Sequence, residues 1–544
     1  MITIRLNDFL YNSGVLGFYR ILEHRGKLDK IRKQCGNEME IEESVFDNFE
    51  EDYINTILDT YEEDTRWYRL ISYQEEIENL KLGENGKEER LNAIVKDIKT
   101  AITSSSYQSA YETVKGKEKC NAIEEIKQIE KVELEEKKNR ILQIIEYLKK
   151  NRETYAMKDI MYNKISDFWQ NVSFLNKNNN KKDIKEEYKS YFIDPIQKQL
   201  EKKQNSEYRC IECGSLVGKS NSFGMSWLAD TGVNIKKKNN AFWNYQEDAF
   251  LCPVCNLIYS CVPLGFYIVG KNGIFINQNN SIESLVQGND ILVGKQFVTE
   301  QNLEKIEQNI FSQLTKQFES KTKETIAKNE IHNIQVIKRI RKDKDKNQYE
   351  FNTISKEKLR QFMKIKSNFE HLINKRITVN KVSIDIYEEV MQNFVENKNQ
   401  YKILDMVLNQ MINNRGRFPY LKDILEIQIN SIGGMNVEKE KELKTLKEEI
   451  ERAGESLQAY FFIQKENENK LKAYILKLSN SLRTNNVNMF MDIVTRMYGG
   501  IGKKIPATEA FVKMITNKKY FRSLGYAYVI GLEGFVKGGN KGEE

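Results

Sequence analysis

Histidine is nearly missing from this chain: 544 residues contain three, His24, His332 and His371. None stands in an HExxH, HxH or HD pair. Imidazole-ligated metal hydrolysis and histidine-assisted nucleophilic catalysis therefore have no signature here. No GxSxG, Walker or Rossmann pattern appears either. Gly218-Lys219-Ser220 lacks the upstream glycine a Walker loop requires, because position 213 is cysteine. Long apolar runs are also absent. None approaches the roughly 20 residues of a membrane span. Met1-Ile-Thr-Ile-Arg-Leu-Asn-Asp is not a basic segment followed by an apolar core, so no secretory signal is expected. A cytoplasmic, soluble chain is the expectation. Net charge is weak for the length, +7 from 85 basic and 78 acidic residues, which permits an anionic partner without demanding one. Proline is scarce at 5, while Lys, Asn, Ile and Glu abound. That bias lowers the weight of any single lysine.

Against these absences, seven cysteines are informative. Four of them form two Cys-x-x-Cys pairs, Cys210/Cys213 and Cys252/Cys255, while Cys35, Cys120 and Cys261 are scattered. Two knuckles of this kind supply the four soft ligands of a tetrahedral Zn2+. A redox pair and two disulfides are the alternatives; the doubled motif and the lack of an export signal weigh against both. Four cysteines close the shell, so the expected zinc is structural and not catalytic. Gly214 and Asn256 follow the second cysteine of each pair and tolerate a left-handed turn. Pro253 stiffens the second knuckle.

Ile2, Ile4 and Leu6 alternate as in a strand. Val15, Phe18, Tyr19 and Leu22 then give helical spacing, with Asn12 or Ser13 as the expected cap. Residues 38–205 are mostly helical by period, and Glu124–Lys150 reads as a long, highly charged segment that suits an antiparallel helical arm. Asn176–Lys182 is a polar breaker. Cys261–Gly270 and Ile274–Asn277 read as strands joined at Lys271-Asn272-Gly273. The basic stretch Val336–Lys346 is expected to be helical. Helices are expected at 438–462, 467–483, 487–498, 506–516 and 518–532. The fold class is thus α+β: an N-terminal mixed domain with an inserted zinc module, then a C-terminal helical bundle. The expected boundaries are 1–205, 206–298 for the zinc module with its hairpin, 299–384 for a helical basic region, and 385–544 for the bundle. Gly499-Gly500-Ile501-Gly502 before Lys503-Lys504 reads as an interhelical turn.

Between the knuckles, Lys219, Asn221, Lys236, Lys237, Lys238 and Asn239 lie among the aromatics Trp227 and Trp243. Cations and amides suit phosphates, and aromatic faces suit bases, so these six residues are candidate nucleic-acid contacts. The competing reading is a surface loop whose aromatics pack on the zinc module.

The N-terminal segment, the paired CxxC motifs and the helical last third ending in Gly525-Tyr-Ala-Tyr-Val-Ile-Gly-Leu-Glu-Gly534 resemble the CXXC–CXXC family of CRISPR-associated proteins. These are large subunits of type I-B Cascade. The resemblance implies a non-catalytic DNA- and RNA-binding subunit acting in antiviral defence. It would recognise the protospacer-adjacent motif in double-stranded target DNA, aid R-loop formation and recruit the Cas helicase-nuclease. Its implied partners are CRISPR RNA, the target duplex, the backbone and small subunits, and that nuclease. It further implies that the helical last third behaves as a small subunit, which an internal start at Met391, Met406, Met411 or Met435 would make separately. Two other readings stay open: a zinc-clamped structural scaffold, and a metal-dependent nuclease with dispersed carboxylates.

Overall fold

A computed structural model describes residues 1–79, 87–114, 122–129, 132–179, 181–201, 208–234, 241, 245, 249–293, 334–343, 346–379, 382–414, 420–433, 437–463 and 468–533. The chain divides into two compact units, Met1–Leu303 with Ile334–Thr353, and Glu304–Asn333 with Ile354–Glu544.

The first unit opens with strand β1 (Ile2–Arg5), whose alternation puts Ile4 in the core. It joins β2 (Ile31–Cys35) and β3 (Glu38–Ile41) in a sheet of order β1-β3-β2, with Ile4 opposite Met39. Helix α1 (Phe9–His24) follows. Its cap is Asp8, whose carboxylate accepts from the Tyr11 N–H at 2.8 Å, and not the expected Asn12 or Ser13. Those two lie buried inside the helix. The Asn12 amide donates to Asn277 at 3.0 Å and Asn279 at 2.7 Å, and the Ser13 hydroxyl donates to Leu10 O at 2.6 Å. A cap is chosen by which side chain can reach the first free N–H groups, and Asp8 alone stands in extended backbone just before them.

The helical arm expected over Glu124–Lys150 is built of two helices, Ala122–Ile129 and Leu134–Lys150. Of its apolar stripe, Ile126, Ile129, Ile141, Ile145 and Leu148 are buried as the spacing predicts, and Leu134 is half-buried.

A second sheet runs β6-β7-β8-β9, formed by β6 (Tyr267–Val269), β7 (Asn272–Asn277), β8 (Ile334–Asp343) and β9 (Lys346–Ile354). The expected hairpin exists, but it turns at Gly270-Lys271, where Gly270 has φ +60°, so Asn272 pairs with Val269 inside the ladder. Residues 262–265 are helical and not strand. Of the basic stretch 336–346, residues 336–343 and 346 are strand and not helix. Ile334, Val336, Ile337 and Ile340 are β-branched, and the sheet core buries the first three of them, which outweighs the charge pattern.

Arg339 of β8 is fully buried. Its guanidinium lies 3.3 Å from Asp167, donates to Lys271 O at 2.9 Å and sits 4.7 Å over the Phe168 ring. Arg341 donates to the same Asp167 carboxylate at 2.8 Å. Asp167 therefore neutralises two cations at the edge of the core. Asp167→Asn keeps the shape and removes the charge. It is expected to destabilise the first unit by about 2 kcal/mol, the usual scale for a hydrogen bond to a charged group, as read by urea denaturation.

Among its described residues, the second unit is helical apart from one hairpin, β10 (Arg376–Val379) and β11 (Val382–Asp385). The expected helices are present as Val437–Ile463, Glu468–Arg483, Val487–Gly500, Glu509–Thr516 and Lys518–Glu533. Leu443, Leu446, Ile450 and Leu457 form the buried stripe of the longest. Among the described residues, no helix is long and apolar enough to cross a membrane.

Candidate metal centre

The first knuckle hangs on a minimal hairpin. β4 (Tyr208–Arg209) pairs antiparallel with β5 (Leu216–Val217), and the loop between them carries Cys210 and Cys213. Gly214 takes φ +71°, as expected for the residue closing such a turn, and its N–H returns to Cys210 O at 2.9 Å. The second knuckle is built differently. Cys252 is extended and caps the helix Pro253–Ser260, its sulfur accepting from the Cys255 N–H at 3.4 Å. Proline at the first helical position suits this start. Asn256 therefore lies within a right-handed helix and needs no left-handed turn. The two knuckles are joined by the Ile211 N–H donating to Phe250 O at 2.8 Å and by Tyr208 stacked on Phe250 at 4.1 Å.

This scaffold gathers all four sulfurs within 4.8 Å of one another. Cys213 Sγ and Cys252 Sγ are 3.7 Å apart. Tetrahedral ligation with metal–sulfur bonds near 2.3 Å places sulfurs about 3.8 Å apart, so the donor set fits a metal of the zinc type. Cys210, Cys252 and Cys255 are buried, and Cys213 is exposed. Hydrogen bonding among the sulfurs holds the Cys210 and Cys213 thiols below their ordinary range and drives Cys252 and Cys255 above it. Four thiols this close cannot all ionise against one another, and a divalent cation removes that conflict. Cys35 is exposed, Cys261 is buried with its thiol 3.5 Å from Leu257 O, and Cys120 lies outside the described residues.

Polar groups from outside the CxxC motifs stand beside the sulfurs and the first knuckle. Glu212, inside the first knuckle, accepts from Tyr259 at 2.7 Å and from Asn7 at 2.8 Å. Burial lifts its carboxyl above the ordinary range against the pull of those donors. The Tyr11 hydroxyl lies 3.3 Å from Cys255 Sγ. Only Glu212, sitting between two cysteines, carried any signal in the sequence. Tyr11, Asn7 and Tyr259 reach the site through the fold.

The six candidate contacts separate. Lys219 is exposed. Asn221 is buried, its amide donating to Pro195 O at 3.0 Å, so it is a structural residue that offers nothing to a phosphate. Lys236, Lys237, Lys238 and Asn239 lie outside the described residues, as does Trp243. Trp227 is buried edge-on against Trp169 at 5.8 Å and Phe192 at 5.6 Å, so it is core and not a stacking platform. His24 and His371 are exposed. His371 Nδ1 stands 3.1 Å from Asp423, and His332 lies outside the described residues.

The knuckles and their surroundings define a protein built on a closed four-cysteine centre, a class shared by many folds. Residues 203–267, which hold all four cysteines, match the model of the family described as CRISPR-associated protein (Cas_CXXC_CXXC). The match supports a CRISPR-associated protein of this family. No curated protein and no solved structure matches the chain.

Proposed function

We propose that this chain is the non-catalytic large subunit of a type I-B Cascade, a CRISPR RNA-guided surveillance complex of the cytoplasm. The observation that carries the reading is the family match over the stretch where the four sulfurs converge. In this reading the zinc is structural. The protein reads a short duplex flank, the protospacer-adjacent motif, while RNA–DNA pairing reads the rest. It then aids R-loop formation and hands the DNA to the Cas helicase-nuclease. That division of labour needs no catalytic set in this chain. The second unit takes the place of a small subunit along the displaced strand.

Affinity purification of the tagged full-length chain from its native host tests this. CRISPR RNA and the backbone and small subunits are expected to co-purify. A lone, nucleic-acid-free oligomer would contradict the reading and favour a zinc-clamped scaffold, which the burial of Asn221 and Trp227 also suits. Magnesium-dependent DNA cleavage by the isolated chain would favour the nuclease alternative.

The DNA contact is assigned to Lys219 and the Lys236–Lys238 run with Asn239. Changing Lys236, Lys237 and Lys238 together to alanine is expected to weaken duplex binding. The slope of log K against log salt should fall by about 3, near one unit per lost phosphate contact. Titrations at several salt concentrations check this, and an unchanged slope removes the loop from the DNA interface.

A further inference from the structure

We propose that Tyr11 of helix α1 is a positioning residue of the metal centre, donating its hydroxyl hydrogen to the sulfur of Cys255. The proposal rests on the metal reading of the four cysteines and assigns a residue outside both knuckles to that site.

A metal-bound cysteine is a thiolate with no proton to give, so an O–H at 3.3 Å from its sulfur must be the donor. Tyr11 is buried. A buried hydroxyl without a partner is costly, and this sulfur satisfies it.

Tyr11 is also held in place from several sides. Asp8 caps α1 through the Tyr11 N–H itself. The Tyr11 ring meets Tyr259 edge-on at 5.4 Å, and Tyr259 anchors Glu212 of the first knuckle. About one and two turns further on, Gly14 faces Ile258 O and Gly17 faces Cys261 O so closely that a methyl group fits at neither. Helix α1 therefore lies backbone to backbone against the segment that begins at Cys252, and the Tyr11 hydroxyl has little freedom to leave Cys255.

Outer groups that hydrogen-bond a metal ligand fix its orientation and temper its charge, and their loss typically costs about 10- to 100-fold in metal affinity. A donor to the thiolate lowers the energy of its lone pairs. Removing that donor raises them, and sulfur-to-metal charge transfer then moves to lower energy.

The test uses the full-length protein as purified, once with its native metal and once from cobalt-supplemented growth. Transfer of metal to a chromophoric chelator and the cobalt–thiolate absorption band are measured for wild type, Tyr11→Phe and Tyr53→Phe. Tyr53 is the control, a buried tyrosine of the same unit whose hydroxyl donates to Ser260 O at 3.0 Å. The expected result is metal affinity at least about tenfold weaker in Tyr11→Phe, with the cobalt band shifted to lower energy. Tyr53→Phe should match wild type in both. Wild-type affinity and band in Tyr11→Phe would overturn the proposal. So would equal changes in Tyr53→Phe, which would mark general loosening of the core. Wild-type protein that takes up no metal would overturn the metal reading along with it.

Discussion

Cys255→Ser is expected to unfold much of the first unit and leave the second intact. A serine hydroxyl is a poor ligand for a soft site, so the shell loses one of its four members. Structural zinc contributes about 10–16 kcal/mol of apparent folding free energy in small zinc domains. Here the knuckles are not alone. Cys210, Cys252 and Cys255 are buried in one continuous core with Leu10, Tyr11, Trp169 and Trp227. That core retains part of the stability without metal, so the expected loss is on the order of 5 kcal/mol, a fraction of the small-domain value. Hydrogen exchange separates the units. Amides of Phe9–His24 and Pro253–Ser260 should lose protection, while those of Val437–Ile463 should keep it. Uniform protection across both units would show that the sulfurs contribute nothing to the fold.

Gly17→Ala is expected to have the next largest effect. A Cβ at this position would lie 2.0 Å from Cys261 O, with Gly265 N at 3.2 Å beside it. Both contacts are backbone atoms, so no side chain can rotate away and α1 must lift off. The same close approach recurs at Gly265, where a Cβ would lie 1.9 Å from Ser13 O. Overpacking ordinarily costs 1–3 kcal/mol; a rigid backbone on both sides places this one at about 3 kcal/mol or more. Displacing α1 also draws Tyr11 away from Cys255, so metal release should accelerate alongside. Gly499→Ala is the control, because no atom lies within 4 Å of its Cβ and the helix Val487–Gly500 gains a better helix former. Denaturation should show a large loss for Gly17→Ala and none for Gly499→Ala.

How far the sequence reveals this molecule differs by element. The ligand set was legible, because a CxxC knuckle is a local device whose chemistry sits in its own four residues. The late helices were legible too, since stripes such as Leu443, Leu446, Ile450 and Leu457 repeat along one face. Strand β8 was not. Its lysines and arginines mimic a solvated helix, and only the sheet beside it, with Asp167 waiting for Arg339 and Arg341, makes them strand residues. Asn221 read as a binding group because it sits in a polar loop, and Trp227 stood open between base stacking and packing on the zinc module. Their burial follows from contacts with Pro195, Trp169 and Phe192, which are distant in sequence. Tyr11 was invisible for the same reason. It stands 244 positions from Cys255, and only the packing of α1 brings its hydroxyl to the sulfur.

The central claim, that four cysteines hold a metal that clamps the first unit, is tested most directly by one measurement on freshly purified full-length protein: elemental analysis with parallel titration of free thiols before and after denaturation in chelator. The account predicts one zinc-type ion per chain and Cys210, Cys213, Cys252 and Cys255 unreactive until the metal is removed, with the buried Cys261 exposed by the denaturation itself. Metal-free protein with Cys210, Cys213, Cys252 and Cys255 reduced and reactive while the fold persists would contradict it.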